Sequence, residues 1–331
     1  MNAAKSWQNL LAMNPVPTLL KSGETAINYF TRRDLLDEPV EPIISIWETP
    51  EAQKLLKKQQ SDGSWEKPGK TSDIYPRWHY RLVETFKRFR LLVERYQFNK
   101  THPAMMKAAE FLFSCQTKEG DIRGFIGNQY ATYYTGYVLA LLIRAGYEDD
   151  SRVEKGMQWL LSVRQNVGGW TIPILTHQYD RETGYKLTSQ YMKPVEPDRT
   201  KPFSHNWTDM VLRAFAAHPE YRKLKEARAA GTLLKSSFFM PDAYSSYKAP
   251  RYWTRFVFWW PNLLTALDSL SLLGFTKDDP DIKKALKWFV DNQQPDGLWK
   301  LESNKEIKAR DLSEWLWLGL SIGRLLKRYY P

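Results

Sequence analysis

Residues 274–299 read GFTKDDPDIKKALKWFVDNQQPDGLW, and residues 146–170 read GYEDDSRVEKGMQWLLSVRQNVGGW. With one gap between the opening glycine and the Asp pair, the Asp pairs, Val153/Ile282, Trp159/Trp288, Gln165/Gln294 and Trp170/Trp299 coincide. Such a match within one chain marks a repeat architecture. Each copy carries its own local instructions. Asp149-Asp150 or Asp278-Asp279 supplies an N-cap and negative charge at a helix start. Val153, Met157, Leu160 and Leu161 then recur at helical spacing. The Gln ends the helix, with its amide expected to bond a neighbouring turn. Gly-Gly or Asp-Gly makes the reversal, and the Trp pins the turn to the core.

Weaker copies follow the same plan. Residues 52–65 read AQKLLKKQQSDGSW, which gives Gln60 to Trp65 the spacing of Gln294 to Trp299. Residues 102–125 read HPAMMKAAEFLFSCQTKEGDIRGF, with Asp121 where the Trp is expected. Leu224–Phe239 is a fifth copy without its Gln-Gly-Trp end. Between the copies lie apolar stretches expected as buried helices: Ile74–Tyr96, Gln129–Ala145, Asn206–His218, Trp253–Leu273 and Asp311–Tyr329. Amphipathic and buried helices therefore alternate. The fold class is all-α, with five to six pairs closing into an α/α toroid of inner and outer barrels; an open superhelical stack is the competitor. Residues 1–43 form an N-terminal helical segment joined to it, with Pro15 and Pro17 entering a helix that reaches Leu36. Residues 44–331 form the toroid proper.

The turns resemble the QW-type repeats of squalene cyclases and protein prenyltransferase β subunits, across four turns and, by pattern, the region 44–330. The opening PVPTLLKSGETAINYFTRRDLLDEP (15–39) is similar to that of bacterial and archaeal prenyltransferase or squalene-cyclase repeat proteins. Fold does not dictate function. Squalene-type cyclases protonate an alkene with DxDD, which this chain lacks. Protein prenyltransferases hold zinc through Asp, Cys and His. The one cysteine, Cys115, sits on an outer-type helix just before Gln116, badly placed for that duty. No metal and no cofactor are expected. The DDxxD of ionising terpene synthases is approached by Asp149-Asp150 and Asp278-Asp279, but both pairs read as helix caps.

In a ring of this type the cavity opens at the starts of the inner helices. The resemblance thus implies a small-molecule ligand in a central cavity lined by Trp78 and His79, then Tyr130, Tyr133 and Tyr134, then Trp207, then Arg251, Arg255 and Trp259, and finally Trp315. Candidate catalytic residues are Asp73, His205, Asp209, Asp311 and Glu314. His205 and Asp209 share a helical face as a base and its partner. Asp311 and Glu314 form a carboxylate pair. Capping and core packing are the competing duties of these groups. Thr171–Pro202 has no periodicity and is expected to fold over the mouth as a lid. With Ala243–Arg251 it would bring Lys186, Lys193, Arg199, Lys201, Lys248 and Arg251 to the opening, where they suit a diphosphate or a uronate.

Composition fits this reading. Fourteen tryptophans exceed what a solvated surface needs and belong in a core or a cavity wall. A single cysteine excludes an intramolecular disulfide and multi-Cys zinc sites. No stretch reads as a signal peptide or a membrane span, so a cytoplasmic protein is expected. The net charge of +11 is scattered and no nucleic-acid motif accompanies it, so no nucleic-acid partner is expected. That charge admits an anionic membrane surface, but no motif supports one. Three functions stay open: action on or binding of an isoprenoid-type apolar substrate, a carbohydrate-active lyase or hydrolase, and a non-catalytic binding module. A deep apolar cavity would favour the first, an open groove the second, and a filled barrel with Tyr133, Trp207 and Trp259 packed against one another the third.

Overall fold

The computed structural model describes residues 7–71, 75, 77–244, 249–256, 260–300 and 309–331, and for 77 and 309–311 the backbone alone. The described residues are α-helical with short 3-10 and π turns, and no named strand occurs among them. They divide into two compact units. One comprises residues 1–49, 235–241 and 247–331, the other residues 50–234 and 242–246.

The second unit holds most of the repeat. The outer helix Ser151–Ser162 starts on Asp150, whose carboxylate accepts from the Arg152 N–H at 2.9 Å. It buries Val153, Gly156, Met157, Trp159 and Leu160 on one side. The helix Pro103–Ser114 starts on His102, whose Nδ1 accepts from the Ala104 N–H. The helix Thr132–Leu142 is buried almost all round, as an inner helix must be. It packs closely on the helix His205–Ala217, because Gly136 lets the Val211 backbone approach to where a Cβ would sit 2.5 Å from its Cα.

The closing turns show how one repeat fastens to the next. Gln59 Nε2 donates to the Gly63 carbonyl within its own turn and to the Ala104 carbonyl at the start of the next outer helix, at 3.0 and 2.7 Å. Gln116 does the same with Gly120 and Arg152, at 2.8 Å each. The bracing amide is therefore Gln59, one residue before the expected Gln60. The turn's apex approaches the same outer helix. A Cβ on Gly120 would lie 2.6 Å from the Lys155 carbonyl oxygen, and its φ of +118° already favours glycine. Antiparallel bridges pair Gln59 with Trp65 and Gln116 with Ile122. Ile122, not Asp121, thus takes the tryptophan's place. The Asp121 carboxylate is instead fully buried against Arg123, whose Nε lies 2.6 Å away.

The first unit repeats the device. Gln293, again one residue before the expected Gln294, donates to the Gly297 carbonyl at 2.9 Å and the Met13 carbonyl at 2.6 Å. Trp299 Nε1 donates to the Phe289 carbonyl at 2.7 Å, as Trp170 Nε1 does to Leu160 in the other unit. The N-terminal stretch is not one helix. Val16–Leu20 and Thr25–Phe30 are separated by a turn at Gly23, whose φ is +74°. Both helices pack on Ala309–Tyr329. Arg324 Nε donates to Asp34 at 2.7 Å, and Lys327 Nζ to the Asp34 carbonyl at 2.9 Å. The helix expected over Trp253–Leu273 is broken. Pro261 forbids continuation, and the helix Leu263–Leu272 starts afresh on an Asn262 capping box.

Candidate functional site

Three buried threonines set the register of the inner helices in the second unit. The Trp65 N–H donates to Thr85 Oγ1 at 3.0 Å, Ile122 N–H to Thr135 Oγ1 at 3.0 Å, and Trp170 N–H to Thr208 Oγ1 at 2.8 Å. Thr135 and Thr208 come three residues after the starts of helices Thr132–Leu142 and His205–Ala217. Thr85 comes eight residues after the start of the helix Arg77–Tyr96. At about 1.5 Å per residue, the first helix projects roughly 7 Å beyond the other two. The residues that begin it are therefore not equivalent to those that begin its neighbours.

The two level helix starts carry a continuous aromatic wall. Phe125 stacks on Tyr134 with ring centroids 3.9 Å apart. Phe86 meets both of them edge-on, at 5.9 and 5.2 Å. Tyr134 meets Tyr133 at 4.4 Å, and Tyr133 meets Trp207 at 4.5 Å. Tyr133 and Tyr134 are half-buried, whereas Phe86, Phe125 and Trp207 are buried. Burial pushes the Tyr134 phenol up to about 12 and the Tyr133 phenol well above its ordinary value. Both rings stay neutral across the physiological range.

Beside this wall lie two sets of buried polar groups. Asp242 accepts from the Ser204 hydroxyl at 2.8 Å and the Asn206 N–H at 3.2 Å, and faces His205 Nδ1 at 3.5 Å. Burial drives the imidazole of His205 down to about 4, against the pull of Asp242. Asp209 is held by Arg213 at 2.6 Å. The Arg213 guanidinium lies 4.5 Å from the centre of the Tyr137 ring, and Tyr137 donates to Glu94 at 2.6 Å. Arg90 closes the set on Glu94 at 3.6 Å. Burial works against the Arg213 charge, but Asp209 and Tyr137 hold its acidity range up. His205 and Asp209 thus share a helix face yet serve different partners, Asp242 and Arg213. Asp242 and the register threonines are not marked in the sequence, because each acts on a group far along the chain, whereas Arg213 stands four residues after Asp209 on the same helix.

The other candidates fall elsewhere. Tyr130 is buried, donates to Glu119 at 2.7 Å and Glu196 at 3.1 Å, and carries Arg123 over its ring at 4.6 Å. His79 bonds the Gly124 carbonyl at 2.7 Å and stacks on Tyr75 at 4.3 Å. Trp78 is 42% exposed and lines an open cleft with Asp62, Glu66 and Arg81. Arg251 and Arg255 begin no inner helix, since the break at Pro261 leaves them in and just after the 3-10 turn Pro250–Thr254, each over the Tyr252 ring. They belong to the first unit, as do half-buried Glu314 and buried Trp315 on the helix Ala309–Tyr329. Asp73, Lys248 and Trp259 lie outside the described residues, and Asp311 is described by its backbone alone.

The segment expected as a structureless lid carries the helix Arg181–Ser189, capped by Asp180. It is stitched to the stretch that leads into Thr132–Leu142. Asn128 donates to the Met192 carbonyl at 3.0 Å, and Gln129 accepts from the Val195 N–H at 2.9 Å. Its cations have local partners: Lys186 with Glu182, Lys201 with Asp198, and Arg199 with the Arg164 carbonyl. Cys115 is a poor ligand and nucleophile, its thiol pushed up to about 11 by burial. Among the described residues, no group of three or more His, Cys, Asp or Glu is placed to hold a metal ion. No described helix is long and apolar enough to cross a membrane.

Residues 85–190, from the middle of the first inner helix into the anchored segment, match the squalene-hopene cyclase C-terminal domain. Over those residues the repeat is similar to the terpenoid-cyclase type. The chain is also similar to several solved structures at low identity. One is a protein from Actinoplanes, at 16% identity over 92% of this chain and 90% of that chain, with a TM-score of 0.46. Another is a variant of the type II terpene cyclase MstE from Scytonema in complex with geranylgeranyl dihydroxybenzoate, at 15% identity over 87% and 95%, with a TM-score of 0.35. A third is a polysaccharide lyase, at 13% identity over 99% and 90%, with a TM-score of 0.42.

Proposed function

We propose that the protein binds an elongated apolar ligand of isoprenoid type along the aromatic wall of the second unit, and does not start cyclisation by protonation. The supporting observation is the run of touching rings from Phe125 through Tyr134 and Tyr133 to Trp207. Large flat apolar faces with few polar groups suit a branched hydrocarbon chain and would stabilise positive charge on it. The match to a cyclase domain over residues 85–190 agrees with this ligand class.

Protonating an alkene needs a carboxyl group that keeps its proton at neutral pH. Asp209 is clasped by the Arg213 guanidinium at 2.6 Å. His205, driven down to about 4, carries no proton to give at pH 7. The sequence has no DxDD. Binding is therefore the better-supported role.

Titration with geranylgeraniol, followed by tryptophan fluorescence and native mass spectrometry, tests the reading. Saturable one-to-one binding is expected, lost in Trp207→Ala and weakened in Tyr133→Ala. An absence of saturable binding, or wild-type binding in both variants, would overturn it.

A further inference from the structure

The cleft at Trp78 lies outside the aromatic wall and has its own construction. Its volume is about 580 Å³, within the range of roughly 300–1,000 Å³ common for ligand sites. The Trp78 indole is 42% exposed within this cleft. Here the ring is also held rigid from behind. A Cβ built on Gly124 would fall 1.9 Å from Cζ3 of Trp78, and Gly124 has a φ of +115°. Only glycine lets the indole lie against this backbone. The next residue on the helix, His79, bonds the Gly124 carbonyl at 2.7 Å and fixes the same strap.

Asp62 and Glu66 line the same cleft, with side chains 45% and 36% exposed. Arg81 orients both. Its Nη2 bonds the Asp62 carboxylate and lies 2.6 Å from Ser64 Oγ, and its Nε lies 3.3 Å from Glu66. Carboxylates only accept, and each oxygen has room for more than one donor. A braced flat ring that shares a cleft with two carboxylates and a guanidinium suits the two faces of a pyranose. The sugar's C–H face stacks on the indole, and its hydroxyls bond the carboxylates and the guanidinium.

We propose that this cleft is a subsite for a pyranose unit of a neutral oligosaccharide. A cationic ligand fits less well. The guanidinium offsets one of the two carboxylates and would repel it, and one indole makes no aromatic cage. The proposal is independent of ligand binding at the aromatic wall.

Isothermal titration with maltohexaose, cellohexaose, chitohexaose and xylohexaose tests it on the full chain. Binding of at least one is expected, weakened roughly tenfold in Trp78→Ala. Glu66→Gln, which keeps the side chain's shape, is expected to weaken the same sugar severalfold. Circular dichroism establishes that both variants fold. No heat from any of the four at millimolar concentration would overturn the proposal, as would binding that Trp78→Ala leaves unchanged. Tetramethylammonium binding that depends on Trp78, with no sugar bound, would assign the cleft to a cation and overturn it equally.

Discussion

The second and third turns of the second unit start from nearly the same sequence plan and do different work. At the second, Gln116 ties the turn to the start of the next outer helix, and Ile122 hangs on Thr135. At the third, Arg164 occupies the bracing position. Gln165 itself turns to the anchored segment, donating to the Asp198 and Lys201 carbonyls at 2.9 Å each. One turn joins repeat to repeat. The other has released that bond and used its amide to hold an insertion beside the aromatic wall. The glutamines of the two turns thus serve different structural ends.

Four experiments sharpen or break this contrast, from the largest expected effect down. Trp170 is fully buried with its indole N–H bonded, so Trp170→Ala should lower the unfolding free energy by about 3–5 kcal/mol in urea denaturation. Ile122→Ala at the equivalent place should cost about 2–4 kcal/mol; equal losses would say that the indole adds nothing special.

The third turn should also be pH-sensitive where the second is not. By the threonine register, Thr132 stands where His205 stands, and it does not titrate. The folded imidazole, at about 4, lies below its unfolded value of about 6.5. The stability it leaves intact at neutral pH is lost as pH falls from about 6.5 towards 4, by up to about 3 kcal/mol. Urea midpoints measured across that range should fall more steeply in the wild type than in His205→Asn.

Gln116→Ala removes two bonds to backbone carbonyls and should cost about 1–2 kcal/mol of whole-chain stability. Gln165→Ala should cost less globally and show instead as faster hydrogen exchange and proteolysis confined to residues 190–201. If the two substitutions behave alike, the turns are not functionally distinct.

Local instructions were legible in the sequence, and long-range ones were not. Asp150 and Asp279 cap their helices as the repeat pattern requires, because a cap acts within three residues. The bracing amide was misplaced by one at Gln59-Gln60 and Gln293-Gln294, where two adjacent glutamines satisfy the same text. Spacing alone puts Asp121 in the tryptophan's place, because its ion pair with Arg123 leaves no mark in the spacing. Trp78 and His79 were grouped with Tyr133 and Trp207 as inner-helix starts. Only the threonine register shows that their helix begins five residues earlier. Asp242, which governs His205, lies in a distant segment with no motif to mark it.

The most direct test of the account is a crystal structure grown with geranylgeraniol. The account expects the chain of the alcohol to lie along Tyr133, Tyr134 and Trp207, with the segment 190–201 still anchored through Gln165. The alcohol absent, or bound away from these rings, would contradict it.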